Sequence, residues 1–304
     1  MARSNALAYA AFAVVCIVWG TTYLAIRIAV RTIPPLLLTG ARFTIAGLLL
    51  LAVARMHGDS IPRSRRTLAE LVFVGLLLVC VGNFAVVWAE QWVPSGFAAL
   101  FVATSPFWIV LIELLRETGE RIDRQQMFGM LLGFAGVAML VTPGAAGAAF
   151  DMHFVLGALV IQIGGIAWQY GTVRAKYNLG SVPPLMSSAV QMLTGGIAVT
   201  LLGLAAGETR RLRLASESVM ALAYLTLFGS VLAYTAYIYV VNHMRVTKMS
   251  LYAYINPVIA VFAGWLILHE TLTAVSLIAM LVILAGVALV QTGRKVEEEC
   301  IPAS

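Results

Sequence analysis

The chain has 304 residues, of which 61% are hydrophobic and 11% charged, and its formal net charge is +6; its mean hydropathy is +0.92. A soluble domain would carry about 25% charged residues, so the bilayer is the solvent that suits this surface and an integral membrane protein is expected. The basic residues lie between apolar stretches rather than in a nucleic-acid footprint, and Cys16, Cys80 and Cys300 offer no disulfide framework.

Ten stretches have about the 20 apolar residues that a membrane helix needs. In chain order they run 5–30, 34–55, 68–90, 94–116, 124–142, 152–175, 183–206, 218–241, 247–268 and 272–293. The turns between them carry Pro, Gly or charge, as in Ile33-Pro34-Pro35, Val93-Pro94-Ser95-Gly96 and Pro143-Gly144. The first stretch is too long for a signal peptide and lacks a small-residue cleavage site after a short apolar core, so it is expected to remain in the mature protein. With the amino terminus inside, fourteen Lys and Arg fall on the inner side, five on the outer side, and Arg42 within a span. That bias predicts cytoplasmic termini, although the outer loop with Arg210, Arg211 and Arg213 runs against it.

The second half repeats the first at an offset of 149 to 151 residues. Trp19-Gly20 and Pro34-Pro35-Leu36 are answered by Trp168-Gln169 and Pro183-Pro184-Leu185. Ser105-Pro106 is answered by Asn256-Pro257, and Ala135-Gly136-Val137-Ala138 by Ala285-Gly286-Val287-Ala288. Five spans return the chain to the opposite side, so the second repeat starts inverted. The expected architecture is all-α, ten transmembrane helices as two inverted five-helix repeats (residues 1–147 and 148–295) with a cytoplasmic tail at 296–304. Such repeats place a solute site near the midplane between them.

No acidic residue sits at the centre of a span. Glu90 lies at the outer end of the third and Glu113 near the inner end of the fourth, and His57, His153, His243 and His269 are at or near loops. A proton relay would place carboxylates or histidines deep in the bilayer. No HExxH, Cys-x-x-Cys, nucleotide-binding glycine loop or Ser-His-Asp arrangement occurs at a suitable place. These absences predict a carrier rather than an enzyme, with no cofactor or metal, moving its solute down the solute's own gradient.

Aromatic and amide side chains gather where that site would lie. Trp19, Trp108 and Trp168 fall within spans rather than at the interfaces, and an indole N–H there wants a partner. Tyr23, Tyr234 and Tyr237 add rings, the last two sharing a helical face. Asn83, Gln162, Gln169 and Asn256 add neutral amides. Each admits two readings, helix packing or a wall of the site. A cavity of this kind suits a small zwitterion or a flat, partly apolar solute. Arg42, answered in the repeat by Gln191, either snorkels or pairs structurally, or captures a substrate carboxylate. Pro106 and Pro257 are hinge candidates or static bends. Gly129-x-x-x-Gly133-x-x-Gly136 reads as close helix packing or a dimer contact.

Trp19-Gly20-Thr21-Thr22-Tyr23 through Pro34-Pro35 to Arg42-Phe43 resembles the opening of an EamA-type repeat of the drug/metabolite transporter superfamily. Ser105-Pro106, Glu120-Arg121-Ile122 and the glycine stripe continue the resemblance, and Asn256-Pro257, Glu270-Thr271-Leu272 and Gly286-Val287 repeat it. It covers residues 5–293 and implies ten helices and export or exchange of small metabolites. Among members the chain is most similar to the YddG-like exporters of aromatic amino acids. The small multidrug members carry a Glu in the first helix, where this chain has Cys16-Ile17-Val18-Trp19-Gly20-Thr21.

The expectation is thus a plasma (inner) membrane carrier that exports amino acids, aromatic ones preferred, and related metabolites by alternating access. Trp19, Trp168, Tyr234 and Tyr237 would stack on the solute, and Tyr23 and Trp108 would join them in the substrate site. Asn83, Gln162, Gln169 and Asn256 would meet its polar end. Its partners would be that solute and the lipid, with no nucleic acid, and a monomer would suffice. An exporter of drugs or nucleobase-like compounds, and a structural or signalling membrane protein, remain as alternatives.

Overall fold

The computed structural model describes residues 2–116, 119–142, 151–268 and 273–293. Pro143-Gly144, Glu270-Thr271-Leu272, His269, Cys300 and the 296–304 tail lie outside them. The described residues form helices and no strand. They are α1 (Ala2–Ala29), α2 (Pro35–Met56), α3 (Arg65–Ala89), α4 (Ser95–Leu114), α5 (Arg124–Val141), α6 (Met152–Asn178), α7 (Pro184–Ala205), α8 (Ser216–His243), α9 in two pieces (Val246–Met249 and Tyr252–Leu268) and α10 (Ala274–Thr292). Nine of these are long and apolar enough to cross a membrane, and α9 contains a shorter apolar helix.

Local sequence sets the ends. Pro35 and Pro184 open α2 and α7, where a missing N–H costs nothing. Asp123 and Gln126 form a reciprocal capping box at the start of α5. Asp151 caps α6 through the Phe154 N–H at 3.0 Å, and Thr273 caps α10 through the Ser276 N–H at 3.1 Å. Large apolar side chains such as Ile17, Leu24, Leu48, Leu159, Leu201 and Leu281 lie exposed on the outer surface, the solvent of which is lipid.

Packing pairs helices of the first half with helices of the second. α2 lies along α7, α5 along α10, α1 against α8 and α9, and α6 against α3 and α4. The α5–α10 contact uses the glycine stripe within one chain. A Cβ on Gly286 would stand 2.5 Å from the Gly133 backbone nitrogen and 2.6 Å from the Gly129 carbonyl oxygen. Backbone approach this close is what small residues permit in membranes, where van der Waals contact drives helix association.

Four departures from regular α-helix stand out. Leu76–Asn83 in α3 and Leu225–Leu232 in α8 are π-helical, 149 residues apart. α4 breaks at Ala103–Thr104, and α9 at Ser250–Leu251. Pro106 therefore sits in the first turn of the second piece of α4. Pro257 is inside the long piece of α9.

Polar contacts tie the end of the bundle where α1 begins. The Glu120 carboxylate accepts from the Arg245 Nε at 3.3 Å, the Val246 N–H at 3.0 Å and the Thr247 hydroxyl at 2.9 Å, with Lys176 Nζ 3.8 Å away. Glu113 Oε2 accepts from the Tyr177 hydroxyl at 3.1 Å and the Glu120 N–H. Glu70 and Arg174 form a two-bond pair at 2.6 and 2.5 Å. At the opposite, distal end, Glu208 accepts from the Leu37 N–H at 3.0 Å, and Arg27 donates to the Glu90 carbonyl.

Gly286→Ala is expected to destabilise the protein by about 1–3 kcal/mol, the usual cost of overpacking, because the new methyl meets the α5 backbone at both Gly129 and Gly133. Thermal unfolding in detergent measures this; an unchanged midpoint would mean that α5 and α10 do not meet here.

Candidate functional site

The irregular backbone surrounds one cavity. It lies between α1, α2, α3, α4, α6 and α9, and the centre of a water molecule can reach about 80 Å³ of it, room for several waters. On α1 its wall runs from Trp19 to Ile26, and on α6 from Trp168 back to Ile161. Both runs lie between mid-helix and the distal end.

Its floor is a layer of rings. Trp19 and Trp168, one from each half, meet edge to face with centroids 5.6 Å apart. Tyr252 meets Trp19 at 5.2 Å. Edge-to-face pairs of this kind hold rings in fixed orientation. The Trp19 indole N–H donates to the Gly229 carbonyl at 3.0 Å, inside the π-turn of α8. Its polar atom is engaged and its faces are left to neighbours.

Tyr23, Asn83 and Asn256 line the same space. The Asn256 amide, in the orientation that satisfies it, donates to the carbonyls of Cys16 (3.1 Å) and Tyr252 (3.0 Å), and its other atom pairs with the Tyr23 hydroxyl. Arg42 lines it too and, among the described residues, is the one charged residue to do so. It does not snorkel: the residue is 3% exposed. Its Nε donates to Ser230 Oγ at 2.8 Å, and Nη1 reaches Asn83 Oδ1 at 3.5 Å. Neither Asp nor Glu lines the cavity among the described residues.

Five of the residues marked in the sequence stand behind this wall rather than in it. Tyr237 is fully buried and accepts from the Trp168 indole N–H at 2.8 Å. Tyr234, also buried, donates to Gln191 Oε1 at 2.8 Å and packs edge-on to Trp168 at 6.1 Å. The shared face of the two tyrosines thus supports Trp168 from below. Gln169 is fully buried beside the Tyr252 hydroxyl. Trp108 donates to Gln162 Oε1 at 2.9 Å, while Gln162 Nε2 donates to the Phe101 carbonyl at 3.1 Å. That carbonyl sits at the break in α4, so Gln162 and Trp108 satisfy backbone rather than face the cavity.

Tyr252, Thr22 and Ser105 also stand on the wall, and none of the three is assigned to the site from the sequence. Tyr252 was within reach, as an in-span tyrosine one helical turn before Asn256. The two π-turns carry no local signature, and their equivalence emerges only from the structure. Glu90 and Glu113, placed by the sequence at helix ends, are both 0% exposed. Among the described residues no group of three or more His, Cys, Asp or Glu is disposed to hold a metal.

The profile of the EamA-like transporter family matches the chain twice, over residues 6–142 and 155–292. An Escherichia coli (strain K12) protein, "uncharacterized inner membrane transporter YedA", is 37% identical over 283 residues, 91% of this chain and 88% of that one. A Bacillus subtilis (strain 168) protein, "uncharacterized transporter YvbV", is 26% identical over 93% of this chain and 90% of its own. One solved crystal structure shares the fold with a TM-score of 0.78 at 22% identity, over 95% of this chain and 96% of that one. Two matches that between them cover nearly the whole chain, and a relative above one-third identity, put this multi-pass membrane protein in the EamA-like transporter family.

Proposed function

We propose that this transporter exports amino acids, aromatic ones preferred, and related flat metabolites, as a YddG-like member of its family would. The observation that carries this reading is the cavity itself: a tryptophan from each half at its floor, with neutral amides and a phenol on its wall. Trp19, Trp168 and Tyr23 stack on the substrate ring, and Asn83 and Asn256 bond its polar end. Tyr234, Tyr237, Gln169, Gln162 and Trp108 hold those groups in place.

The two halves work as inverted five-helix repeats, 1–147 and 148–295. The 149-residue spacing of the π-turns and the exchange of helix pairs between halves support this. The bias of Lys and Arg supports cytoplasmic termini, and the inner-membrane relative supports that location. In this orientation the Glu120 contacts close the cytoplasmic end, and the cavity belongs to an outward-facing state. Pro106 and Pro257 flank the helix breaks and let α4 and α9 bend as the access changes. No acid lines the cavity among the described residues, which supports transport without ion coupling.

Counterflow of labelled phenylalanine in liposomes is expected to proceed without a pH gradient. Trp19→Ala and Trp168→Ala are each expected to weaken substrate binding about fivefold, from the loss of about 1 kcal/mol of ring contact. Counterflow that survives both substitutions at equal protein level would overturn the stacking role, and absence of any amino acid counterflow would move the reading to drugs or nucleobases.

Glu120→Ala removes the contacts that join the α4–α5 connection to α9. In a background retaining Cys16 alone, alkylation of that buried thiol from the cytoplasmic side is expected to rise about tenfold, as loss of a charged hydrogen-bond set permits. An unchanged rate would show that Glu120 is no latch.

A further inference from the structure

Arg42 is held in a way that packing does not account for. It comes from α2 and lies between the two π-turns, bonded to Ser230 in one and reaching Asn83 at the end of the other. The Phe43 ring is 4.7 Å from its guanidinium carbon. Among the described residues no carboxylate lies within 4.0 Å of it. A guanidinium has five N–H groups, and these two bonds use two of them; the others have no acceptor among the described residues. Gly229 beside it preserves this opening: a Cβ there would stand 2.9 Å from Nη2. A buried cation without a counter-ion is costly in a membrane, and such a residue marks a site where an anion arrives.

The opposite half has no such group. Gln191, the repeat counterpart of Arg42, donates to Ser187 Oγ at 2.8 Å and accepts from Tyr234. Among the described residues the cavity therefore presents one cation, on one side, against a ring-lined floor, and no acid to face a substrate ammonium.

We infer that Arg42 binds the carboxylate of the substrate, and that the site selects aromatic monocarboxylates, for which the carboxylate is required and the α-amino group is dispensable. The planar guanidinium fork matches a carboxylate with two parallel bonds. This rests on the reading of the cavity as the substrate site. It extends the substrate class to aryl-substituted acids without an amine and excludes aryl amines without an acid.

Four probes on purified full-length protein in detergent test it, with affinity read from ligand-induced thermal stabilisation. They are L-phenylalanine, 3-phenylpropionate (no amine), 2-phenylethylamine (no carboxylate) and hexanoate (no ring). Phenylpropionate is expected to bind within about threefold of phenylalanine, and phenylethylamine at least about tenfold more weakly, the loss of one charge-assisted pair. Arg42→Gln should abolish that tenfold preference, and Arg42→Lys should restore part of it, because an ammonium keeps the charge without the fork. Phenylethylamine binding as tightly as phenylpropionate to the wild-type protein would overturn the inference, whether or not the variants fold. Hexanoate binding as tightly as phenylpropionate would leave the carboxylate site standing and overturn the ring preference. Binding of none of the four would overturn both.

Discussion

In hydrocarbon no water can satisfy a backbone N–H or C=O, so a membrane helix departs from its i→i+4 bonds only where protein or a water-filled space replaces the lost partner. The described residues depart from them in four places, and each is answered by a side chain or borders the cavity. The carbonyl of Gly229, in the π-turn of α8, takes the Trp19 indole. The carbonyl of Phe101, at the break in α4, takes Gln162 and Thr104. The carbonyl of Thr247, at the break in α9, takes Ser250 at 2.9 Å. The π-turn of α3 ends on Asn83, which meets Arg42. Satisfying loosened backbone thus accounts for many polar side chains near the midplane, and the departures in α3, α4 and α9 border the cavity. π-turns are common at functional sites for this reason.

Much of this was legible in the sequence. Among the described residues nine of the ten apolar stretches match helices long enough to cross a membrane, to within a few residues at most ends, and the stretch 247–268 holds a shorter apolar helix, because length and hydropathy are set by the bilayer and not by tertiary detail. Trp19, Trp168, Tyr23, Asn83 and Asn256 line one cavity, and of these Trp19 and Trp168 are related by the repeat. The glycine stripe of α5 packs within the chain, on α10. What stayed hidden depends on tertiary contact. Whether Tyr234 points to a substrate or to Gln191 is a matter of helix rotation that a 3.6-residue period leaves open. Pro106 reads as a mid-helix kink until the break at Ala103–Thr104 makes it a helix-start proline, which costs no hydrogen bond. Glu90 reads as an interfacial acid because its position along α3 is visible and its rotation into the bundle is not.

Polar contacts join the two halves at both ends, through Glu120 at one and Glu208 at the other. Carboxylates from one half cap and pair with groups of the other where α1 begins, with Glu120 bonded to Arg245, Val246 and Thr247. A carboxylate at the start of the short Val246–Met249 helix also meets the positive end of its backbone dipole. Toward the distal end the cavity walls are the apolar Ile26, Val86, Val102 and Ile161. The ring layer of Trp19, Trp168 and Tyr252 lies between the Glu120 contacts and these apolar walls. Arg42 and its neutral counterpart Gln191 make the site itself asymmetric within a symmetric frame.

The central claim is that this ring-floored cavity is where substrate sits. A crystal structure of the protein with 4-bromophenylalanine, read from the anomalous signal of bromine, tests it most directly. The account predicts one bromine peak within the cavity, on the floor that the Trp19 and Trp168 rings form. A peak only at the lipid-facing surface or beyond the Glu120 clamp, with the cavity empty, would contradict it.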